Sequence, residues 1–351
     1  MSYISKPRID HPGLSRNAIG LTRRDYEGGM STLCAGCGHD SVTAALVQAC
    51  WELAIPPERV AKLSGIGCSS KTPAYFVSGA HGVNSVHGRM TSVATGAAAA
   101  NRDLHCIGIS GDGDSLSIGM GQFCHAMRRN LDLLYLIENN GVYGLTKGQF
   151  SASADRGTRA KKGEINQQPP IDPVLTALAA GATFIARSFS GDKAQLVPLL
   201  KAGLRHRGFA LIDILSPCVT FNDHEDSTKS YAFTRQYYHP AVHMDFVPPA
   251  EEIRAAYDKG AAMNVSLHDG TELVLRKTDE AYDPGSRANA FQYIRQHLDE
   301  GEFLTGLLYL DPESREMHQL NQTVEAPLAT LDPGDLCPGA AVLPEILARY
   351  R

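Results

Sequence analysis

Oxygen-bearing side chains follow two apolar segments of the chain. The sequence Gly-Asp-Gly at 111–113 follows the apolar run 104–109, and Asn-Asn at 139–140 follows the run 131–137. Such runs are typical of buried strands, and glycines beside Asp112 allow a sharp turn close to a ligand. A carboxylate and a carboxamide suit Mg²⁺, an ion that also binds phosphate oxygens. The spacing predicts a Mg²⁺-diphosphate site, and two ordinary turns are the alternative interpretation.

Four of the eight cysteines occur at positions from which their thiolates could bind one metal centre. Cys34 and Cys37 form a CxxC motif, Cys68 follows the apolar run 60–66, and Cys218 follows another predicted strand. Four thiolates can hold a [4Fe–4S] cluster or a structural Zn²⁺ ion, and the spacing alone does not separate the two. A thioredoxin-like redox pair is a third interpretation of the CxxC motif, but no preceding βαβ pattern supports it.

Alternating helical and extended patterns must position these groups. Apolar residues recur at helical spacing over about 38–53, and strand-like and helical segments then alternate as far as residue 215. This alternation predicts an α/β fold with a doubly wound parallel sheet, which binds ligands beyond the carboxyl ends of its strands. Because the groups named above mostly follow predicted strands, we expect one active site at that edge. The long polar segment 144–168 is expected to be a functional loop.

The pattern divides the chain into three parts. Residues 1–30 are expected to form an irregular N-terminal arm, and residues 31–225 form the predicted cofactor-binding domain. Residues 226–351 are less regular and are expected to be a C-terminal extension that makes inter-subunit contacts. Within this extension, helices are predicted near 250–264 and 288–299.

Composition limits the classes of partner. Lys and Arg number 33 against 38 Asp and Glu, so the net charge is −5, which argues against a nucleic-acid partner. One local basic run consists of Arg156, Arg159, Lys161 and Lys162. A solvated loop is one interpretation of this run, and docking of an acidic protein or an anionic cosubstrate is the other.

Hydropathy and cysteine placement indicate the compartment. No apolar run reaches the ~20 residues that span a bilayer, and residues 1–10 lack the apolar core of a signal peptide. We therefore expect no membrane association and a cytoplasmic location, where disulfides are rare. Burial as small apolar side chains is expected for Cys50, Cys106 and Cys124.

Six motifs occur in a fixed order over about residues 30–225. They are Cys34-x-x-Cys37-Gly38-His39, Gly65-Ile66-Gly67-Cys68-Ser69-Ser70, His87-Gly88-Arg89, Gly111-Asp112-Gly113-Asp114, Asn139-Asn140-x-x-Tyr143-Gly144-Leu145-Thr146-Lys147-Gly148-Gln149 and Ser216-Pro217-Cys218. Together they resemble the β subunits of the 2-oxoacid:ferredoxin oxidoreductases, most of all the 2-oxoglutarate branch. Ala35 stands where the family's first motif commonly has proline.

The resemblance implies a set of site residues. The expected lining of thiamine diphosphate is Ile66, Gly67, Cys68, Ser69, Gly113, Asp114, Gly144 and Leu145. The expected Mg²⁺ ligands are Asp112, Asn140 and the carbonyl of Val142. The expected ligands of one [4Fe–4S] cluster are Cys34, Cys37, Cys68 and Cys218, which favours the cluster over zinc. The candidate catalytic residues are Lys71, His87 and Arg89.

The resemblance also implies an activity and partners. The expected reaction is the reversible oxidative decarboxylation of a 2-oxoacid, with 2-oxoglutarate as the expected substrate. Coenzyme A takes the acyl group, CO₂ leaves, and electrons pass through the cluster to ferredoxin. Thiamine enzymes need a carboxylate beside the aminopyrimidine ring, and Glu138 is badly placed for it. In the family that glutamate lies on the larger α subunit, so we expect an (αβ)₂ assembly and no activity from the isolated chain.

Two alternative functions remain open at this stage. One is a subunit of a non-oxidative thiamine diphosphate decarboxylase or synthase, with zinc or no metal at the cysteines. The other is a Cys₄ zinc scaffold that binds a partner protein. The sequence fixes neither the preferred 2-oxoacid nor the direction of the reaction, which can run toward oxidation or reductive carboxylation.

Overall fold

The computed structural model describes residues 11–247, 262–267, 271–277, 279–337 and 339–350. The helices are α1 Gly38–Glu52, α2 Met90–Ala100, α3 Met120–Arg128, α4 Pro173–Ala180, α5 Lys193–Arg205, α6 Tyr231–Gln236, α7 Arg287–Asp299, α8 Met317–Asn321, α9 Pro333–Leu336 and α10 Leu343–Ala348. The strands are β1 Val60–Ser64, β2 His81–Asn84, β3 His105–Gly111, β4 Leu133–Asn139, β5 Val142–Tyr143, β6 Gln149–Phe150, β7 Phe184–Phe189, β8 Phe209–Leu215, β9 Tyr238–Val247, β10 Ala262–Ser266, β11 Glu272–Lys277 and β12 Phe303–Leu310.

Ten of these strands form one sheet in the order β2-β1-β3-β4-β8-β7-β12-β9-β11-β10. The six strands from β2 to β7 are parallel to one another. Strand β12 runs antiparallel to β7 and parallel to β9, and β11 is antiparallel to both of its neighbours. The predicted α/β fold with a doubly wound parallel sheet is therefore confirmed.

Mostly apolar side chains place the central strands in the interior of the protein. Every residue of β4 and of β8 is buried, as expected for strands that are covered by helices on both faces. Helix α1 packs on α5, while α2, α3 and α4 pack on one another in succession. These two groups of helices shield the sheet from water and fix the carboxyl ends of β1, β3, β4 and β8 at one edge.

The chain beyond residue 225 differs from its sequence-based description. Strands β9 to β12 extend the same sheet, and the predicted division at residue 225 stays a prediction. The helix expected near 250–264 falls largely outside the described residues. At its end the prediction is wrong, because Ala262–Ser266 pairs along β11 as a strand. The helix expected near 288–299 is confirmed as α7.

Short turns complete the described architecture. The N-terminal arm contains one 3₁₀ turn, Arg23–Tyr26, within its described part, and another, Ser69–Ala74, follows Cys68 directly. A π-helical turn, Gly113–Ile118, precedes α3. The described helices are each too short or too polar to traverse a lipid bilayer.

Candidate active site

A crevice with a volume of ≈ 90 Å³ opens where β1, β3 and β4 end. All eight residues that the resemblance assigned to thiamine diphosphate line it, namely Ile66, Gly67, Cys68, Ser69, Gly113, Asp114, Gly144 and Leu145. His87 and the three expected Mg²⁺ ligands, Asp112, Asn140 and Val142, line the same crevice. Segments distant in sequence therefore meet at one edge of the sheet, as the alternation of helices and strands predicts.

Asp112 and Asn140 are neighbours whose oxygen atoms are held in place. The Asn140 N–H points at Asp112 Oδ1 over 3.4 Å, and Asn140 Oδ1 accepts a hydrogen bond of 3.1 Å from the Val142 N–H. Asp112 Oδ2 accepts hydrogen bonds from the hydroxyls of Ser151 and Ser153. The two serines were missed from the sequence, although they lie in the polar segment that was expected to be functional. Fixed carboxylate and carboxamide oxygens are the donor set that Mg²⁺ prefers.

The carboxylate of Asp114 joins three loops of the crevice. It accepts hydrogen bonds of 2.7 Å from the Gly88 N–H and the Ser110 hydroxyl, and it also bonds to His87 Nδ1. A Cβ atom at residue 65 would lie only 1.8 Å from Asp114 Oδ2, so this approach requires Gly65. Asp114 therefore fixes the crevice walls relative to one another.

The three candidate catalytic residues lie in different places. His87 lines the crevice, with its ring edge-on to Tyr143 at a centroid distance of 6.2 Å. Arg89 immediately precedes α2 and donates to the Gly88 carbonyl at 3.4 Å, and it is not among the crevice-lining residues. Lys71 lines a neighbouring cavity, and its Nζ donates to the Thr32 carbonyl at 3.4 Å.

That neighbouring cavity brings the four predicted cluster ligands together. Cys34, Cys37, Cys68 and Cys218 all line it, and Cys68 also lines the crevice. A Cβ atom at Gly144 would lie 3.4 Å from Cys68 Sγ and 3.7 Å from Cys218 Sγ, so the two sulfurs flank the same point. We call this space the cysteine cavity. A thiol site and an oxygen-lined site are thus adjacent and share four lining residues, His39, Cys68, Asn140 and Gly144.

Comparison with known proteins identifies the family. Residues 65–214 match the family model of the C-terminal thiamine pyrophosphate-binding domain of thiamine pyrophosphate enzymes. A 2-oxoacid:ferredoxin oxidoreductase β subunit of a Sulfolobus species is 37% identical over 273 residues, which are 74% of this chain and 87% of that relative. The chain belongs to this family of β subunits. The resemblance that its motifs suggested is confirmed, and with it the assignment to an oxidoreductase.

Other members of the family show similar agreement. The β subunit of Saccharolobus solfataricus is 44% identical over 207 residues, 58% of this chain and 67% of its own. The 2-oxoglutarate oxidoreductase subunit KorB of Mycobacterium tuberculosis is 41% identical over 191 residues, 54% of this chain and 51% of its own. The 2-oxoglutarate:ferredoxin oxidoreductase of Magnetococcus marinus, solved with 2-oxoglutarate, coenzyme A and succinyl-CoA bound, has a TM-score of 0.70 and 29% identity, covering 89% of this chain and 91% of its own.

The spacing of the thiols in this β subunit tests which metal they fit. Four thiolates around one Zn²⁺ ion, each with a Zn–S bond near 2.3 Å, lie roughly 3.8 Å apart. Within the described part of the chain, no three of these cysteine sulfurs lie within 4.8 Å of one another. Any three of these thiols therefore include at least one pair of sulfurs farther apart than a single tetrahedral ion requires.

Burial keeps most of these thiols in the neutral form in the metal-free chain. It raises the pKa of Cys37 to about 12, and it also raises the pKa of Cys68 and of Cys218. Because thiolates are the forms that bind metal, occupation of the cysteine cavity must release protons.

A buried polar network forms part of the walls of both sites, since Glu138 lines the crevice and His39 lines the crevice and the cysteine cavity. The Thr72 hydroxyl is 3.0 Å from each carboxyl oxygen of Glu138, and Glu138 Oε2 is 3.7 Å from His39 Nε2. His39 Nδ1 in turn is 2.6 Å from Ser216 Oγ. Sequence reasoning missed this network, although His39 and Ser216 belong to the motifs that carried the resemblance.

The pKa shifts define the charge of this network. Burial raises the pKa of Glu138 well above its usual range, and burial lowers the pKa of His39 to about 4. The geometry is that of an ion pair, but both shifts favour the neutral forms because water reaches neither group. The network is therefore a set of neutral hydrogen-bonding groups at the base of the site.

A second cavity, with a volume of ≈ 450 Å³, lies at the opposite edge of the sheet. It surrounds His105 and Asp132, at the amino ends of β3 and β4, and Arg207, just before β8. None of the predicted site residues lines this larger cavity, so size alone does not identify the active site.

Proposed function

We propose that this β subunit takes part in the reversible oxidative decarboxylation of a 2-oxoacid, with 2-oxoglutarate as the substrate. Coenzyme A receives the acyl group to form acyl-CoA, CO₂ is released, and ferredoxin receives the electrons. The observation that carries this proposal is the shared wall between the crevice and the cysteine cavity, to which Cys68 contributes together with His39, Asn140 and Gly144. This adjacency supports a short path between a carbon-chemistry site and an electron-transfer site.

The lining of the crevice suits Mg²⁺ and the diphosphate group of thiamine diphosphate. Asp112, Asn140 and the Val142 carbonyl would hold the ion, and Ser151 and Ser153 orient the Asp112 carboxylate. When bound, thiamine diphosphate supplies the carbon that attacks the 2-oxoacid and withdraws the electrons left by decarboxylation. The glycine-rich walls allow the backbone to approach the diphosphate closely.

The cysteine cavity fits a [4Fe–4S] cluster better than zinc. Cys34, Cys37, Cys68 and Cys218 would each provide one thiolate. The separation of at least one pair of their sulfurs, wider than a single tetrahedral ion requires, supports the larger inorganic group. A [4Fe–4S] cluster in this cavity would distinguish the proposed oxidoreductase from the zinc scaffold and from the non-oxidative thiamine enzyme.

Two features indicate that another subunit completes the site. The crevice volume of ≈ 90 Å³ is below the roughly 300–1,000 Å³ of typical small-molecule sites. Glu138 is fully buried with a raised pKa and bonds to Thr72, so it is poorly suited to act as the ionised carboxylate beside the aminopyrimidine ring. We propose that a larger α subunit supplies that carboxylate within an (αβ)₂ assembly.

Relatives support the choice of substrate. Several similar β subunits belong to 2-oxoglutarate enzymes, and the solved Magnetococcus marinus enzyme binds 2-oxoglutarate and coenzyme A. Both ligands are therefore proposed for this protein. The preferred direction depends on the potential of the ferredoxin and the concentration of CO₂.

Anaerobic co-expression with the large subunit tests the proposal. We expect a brown complex containing iron, acid-labile sulfide, thiamine diphosphate and Mg²⁺, which reduces ferredoxin fastest with 2-oxoglutarate in a panel of 2-oxoacids. The chain expressed alone should be inactive. A colourless protein with stoichiometric zinc would favour the scaffold, and thiamine diphosphate without iron would favour the non-oxidative enzyme.

A further inference from the structure

A short hairpin beside the cysteine cavity carries four basic side chains. Residues 156–166, which we call the basic hairpin, are held by the Arg159–Ile165 bridge and by a 2.8 Å bond from the Gly157 N–H to the Asn166 carbonyl. Its cations, all exposed, are Arg156, Arg159, Lys161 and Lys162. With Glu164 as its one acidic residue, the hairpin has a formal charge of +3, whereas the whole chain has −5.

The base of the basic hairpin is fixed to the rest of the protein. The Asp155 carboxylate accepts hydrogen bonds of 2.8 Å and 2.7 Å from the N–H and hydroxyl of Thr228, and 2.7 Å from Lys229 Nζ. The Asn166 side chain donates to the backbone carbonyls of Ala154 and Asp155, just before the hairpin, and of Gln168, just after it. The cations are therefore presented on an anchored element, and their positions relative to the cavity are defined.

The basic hairpin lies directly beside the cysteine cavity. Lys161 Nζ is 5.6 Å from the centre of the Phe221 ring, a cation–π distance. Phe221 lines the cysteine cavity, and its N–H donates to the Cys218 carbonyl at 3.2 Å. Cys34, on the same cavity, is exposed. Positive charge and an accessible ligand of the proposed cluster thus share one face.

The nearby segment limits the extent of this cationic surface. Exposed acidic residues follow the cavity at Asp223, Glu225 and Asp226. Toward residues 223–226 the positive area therefore ends at the hairpin, and it would select a partner that places negative charge on the hairpin and not on this acidic segment. Complementary charge mainly speeds and orients association, and its effect decreases as salt is added.

We propose that the basic hairpin is the docking surface for an acidic one-electron carrier protein that collects electrons from the cysteine cavity. The inference rests on the proposed function, because it needs a cluster in that cavity. Each encounter transfers one electron, so the cluster is oxidised by one electron and the carrier is reduced by one. Two encounters remove the two electrons released per 2-oxoacid.

The test uses the complete αβ enzyme and an acidic bacterial ferredoxin as the probe. The double variant Arg159→Gln/Lys162→Gln keeps Lys161, so the contact with Phe221 is preserved. We expect kcat/KM for ferredoxin to fall roughly tenfold at low salt, with a weaker salt dependence and a higher Kd for ferredoxin in a direct binding assay. Reduction of methyl viologen, a small acceptor, should be unaffected because it needs no protein docking.

Matched controls make the result specific. Arg128→Gln/Arg207→Gln removes the same charge at the opposite edge and should leave ferredoxin kinetics as in the wild type. Unchanged ferredoxin kinetics in the hairpin variant would overturn the proposal. So would equal loss with ferredoxin and methyl viologen, a selective rise in KM for coenzyme A, or loss of the α subunit on purification. A wild-type complex that lacks iron would instead contradict the proposed function itself.

Discussion

Glu138 connects the parts of the site through neutral hydrogen bonds. Each of its hydrogen-bonding partners lies within four residues of a proposed ligand in sequence: Thr72 is four residues after Cys68, His39 is two after Cys37, and Ser216 is two before Cys218. The carboxyl group lies two residues before Asn140. Because all of these groups are buried, a change in one should shift the segments that carry both the cysteines and the Mg²⁺ ligands.

Substitution of Glu138 should separate hydrogen bonding from charge. Glu138→Gln keeps a neutral acceptor for the Thr72 hydroxyl, so we expect near wild-type stability and the same spectrum of the reduced cluster. Glu138→Leu leaves Thr72 without its acceptor and should lower the free energy of unfolding by about 1–3 kcal/mol. Urea denaturation and electron paramagnetic resonance measure the two effects. Equal damage in both variants would show that the charge of Glu138 matters.

Lys71 offers a test of substrate choice. If its ammonium group pairs with the second carboxylate of 2-oxoglutarate, Lys71→Ala should raise KM for 2-oxoglutarate by about tenfold, since such a charged bond contributes on the order of 1.5 kcal/mol. KM for pyruvate, which lacks that carboxylate, should change little. Steady-state kinetics with both substrates provide the measurement, and equal rises would exclude this role.

At the scale of elements, Gly148 controls how closely two loops approach. It has φ of +98°, and a Cβ atom there would lie 2.8 Å from the Phe221 ring. Gly157 has a similar φ of +89°, but a Cβ atom there would meet nothing within 4 Å. The two glycines therefore share the same backbone strain on substitution and differ in steric contact.

Alanine substitutions at these two glycines should lower the free energy of unfolding by different amounts. Gly157→Ala should cost about 1 kcal/mol of unfolding free energy, because a side chain disfavours positive φ. Gly148→Ala should cost about 1–3 kcal/mol more, since the Phe221 ring must move, and iron content should fall because Phe221 is close to Cys218 in sequence. Urea denaturation and iron analysis check both values. Equal costs for the two variants would argue against the steric explanation.

Local patterns account for the elements that the sequence predicted correctly. Helix α1 follows from apolar periodicity, and strands β1, β3 and β4 follow from continuous apolar runs, signals that depend only on near neighbours. Strands β9 to β12 were not predicted, because their pairing joins segments far apart in the chain. A short strand such as β10 is specified by the partner that it meets and only weakly by its own residues.

The site, like the fold, could be predicted only where the signal lies within a short stretch of sequence. Motifs at strand ends identified the crevice and the cysteine cavity because turn glycines and oxygen side chains occur close together in the sequence. The buried network could not be predicted, since Thr72 and Glu138 are 66 residues apart and His39 and Ser216 are 177 apart. Only the assembled sheet brings these pairs within hydrogen-bonding distance.

At the scale of the whole molecule, buried thiols should make stability depend on pH. Burial raises the pKa of Cys106 to about 12, above the usual value near 9 that it regains on unfolding. The unfolded chain therefore loses its proton first, and the stabilising effect present below pH 9 decreases as pH rises toward 12. Burial lowers the pKa of Lys62 to about 8, and this shift has the opposite effect between its folded and unfolded values.

Comparison of the wild type with Cys106→Ala isolates the contribution of the Cys106 thiol to this pH dependence. The unfolding free energy of the wild type should fall relative to Cys106→Ala by up to ~1.4 kcal/mol per pH unit above pH 9. Urea denaturation at pH 8, 9 and 10 measures this change, and Cys337→Ala, at an exposed position, is the control. Parallel curves for the wild type and Cys106→Ala would contradict the prediction.

The position of β12 has a consequence for synthesis on the ribosome. Residues 303–310 lie between β7 and β9, so β9 joins the central strands only after most of the chain has emerged. Until then, β7 presents an open edge that can pair with another nascent chain. Translation that stops before residue 303 should therefore produce an aggregation-prone fragment. Molecular chaperones that cover exposed strand edges would be needed for longest at the open edge of β7.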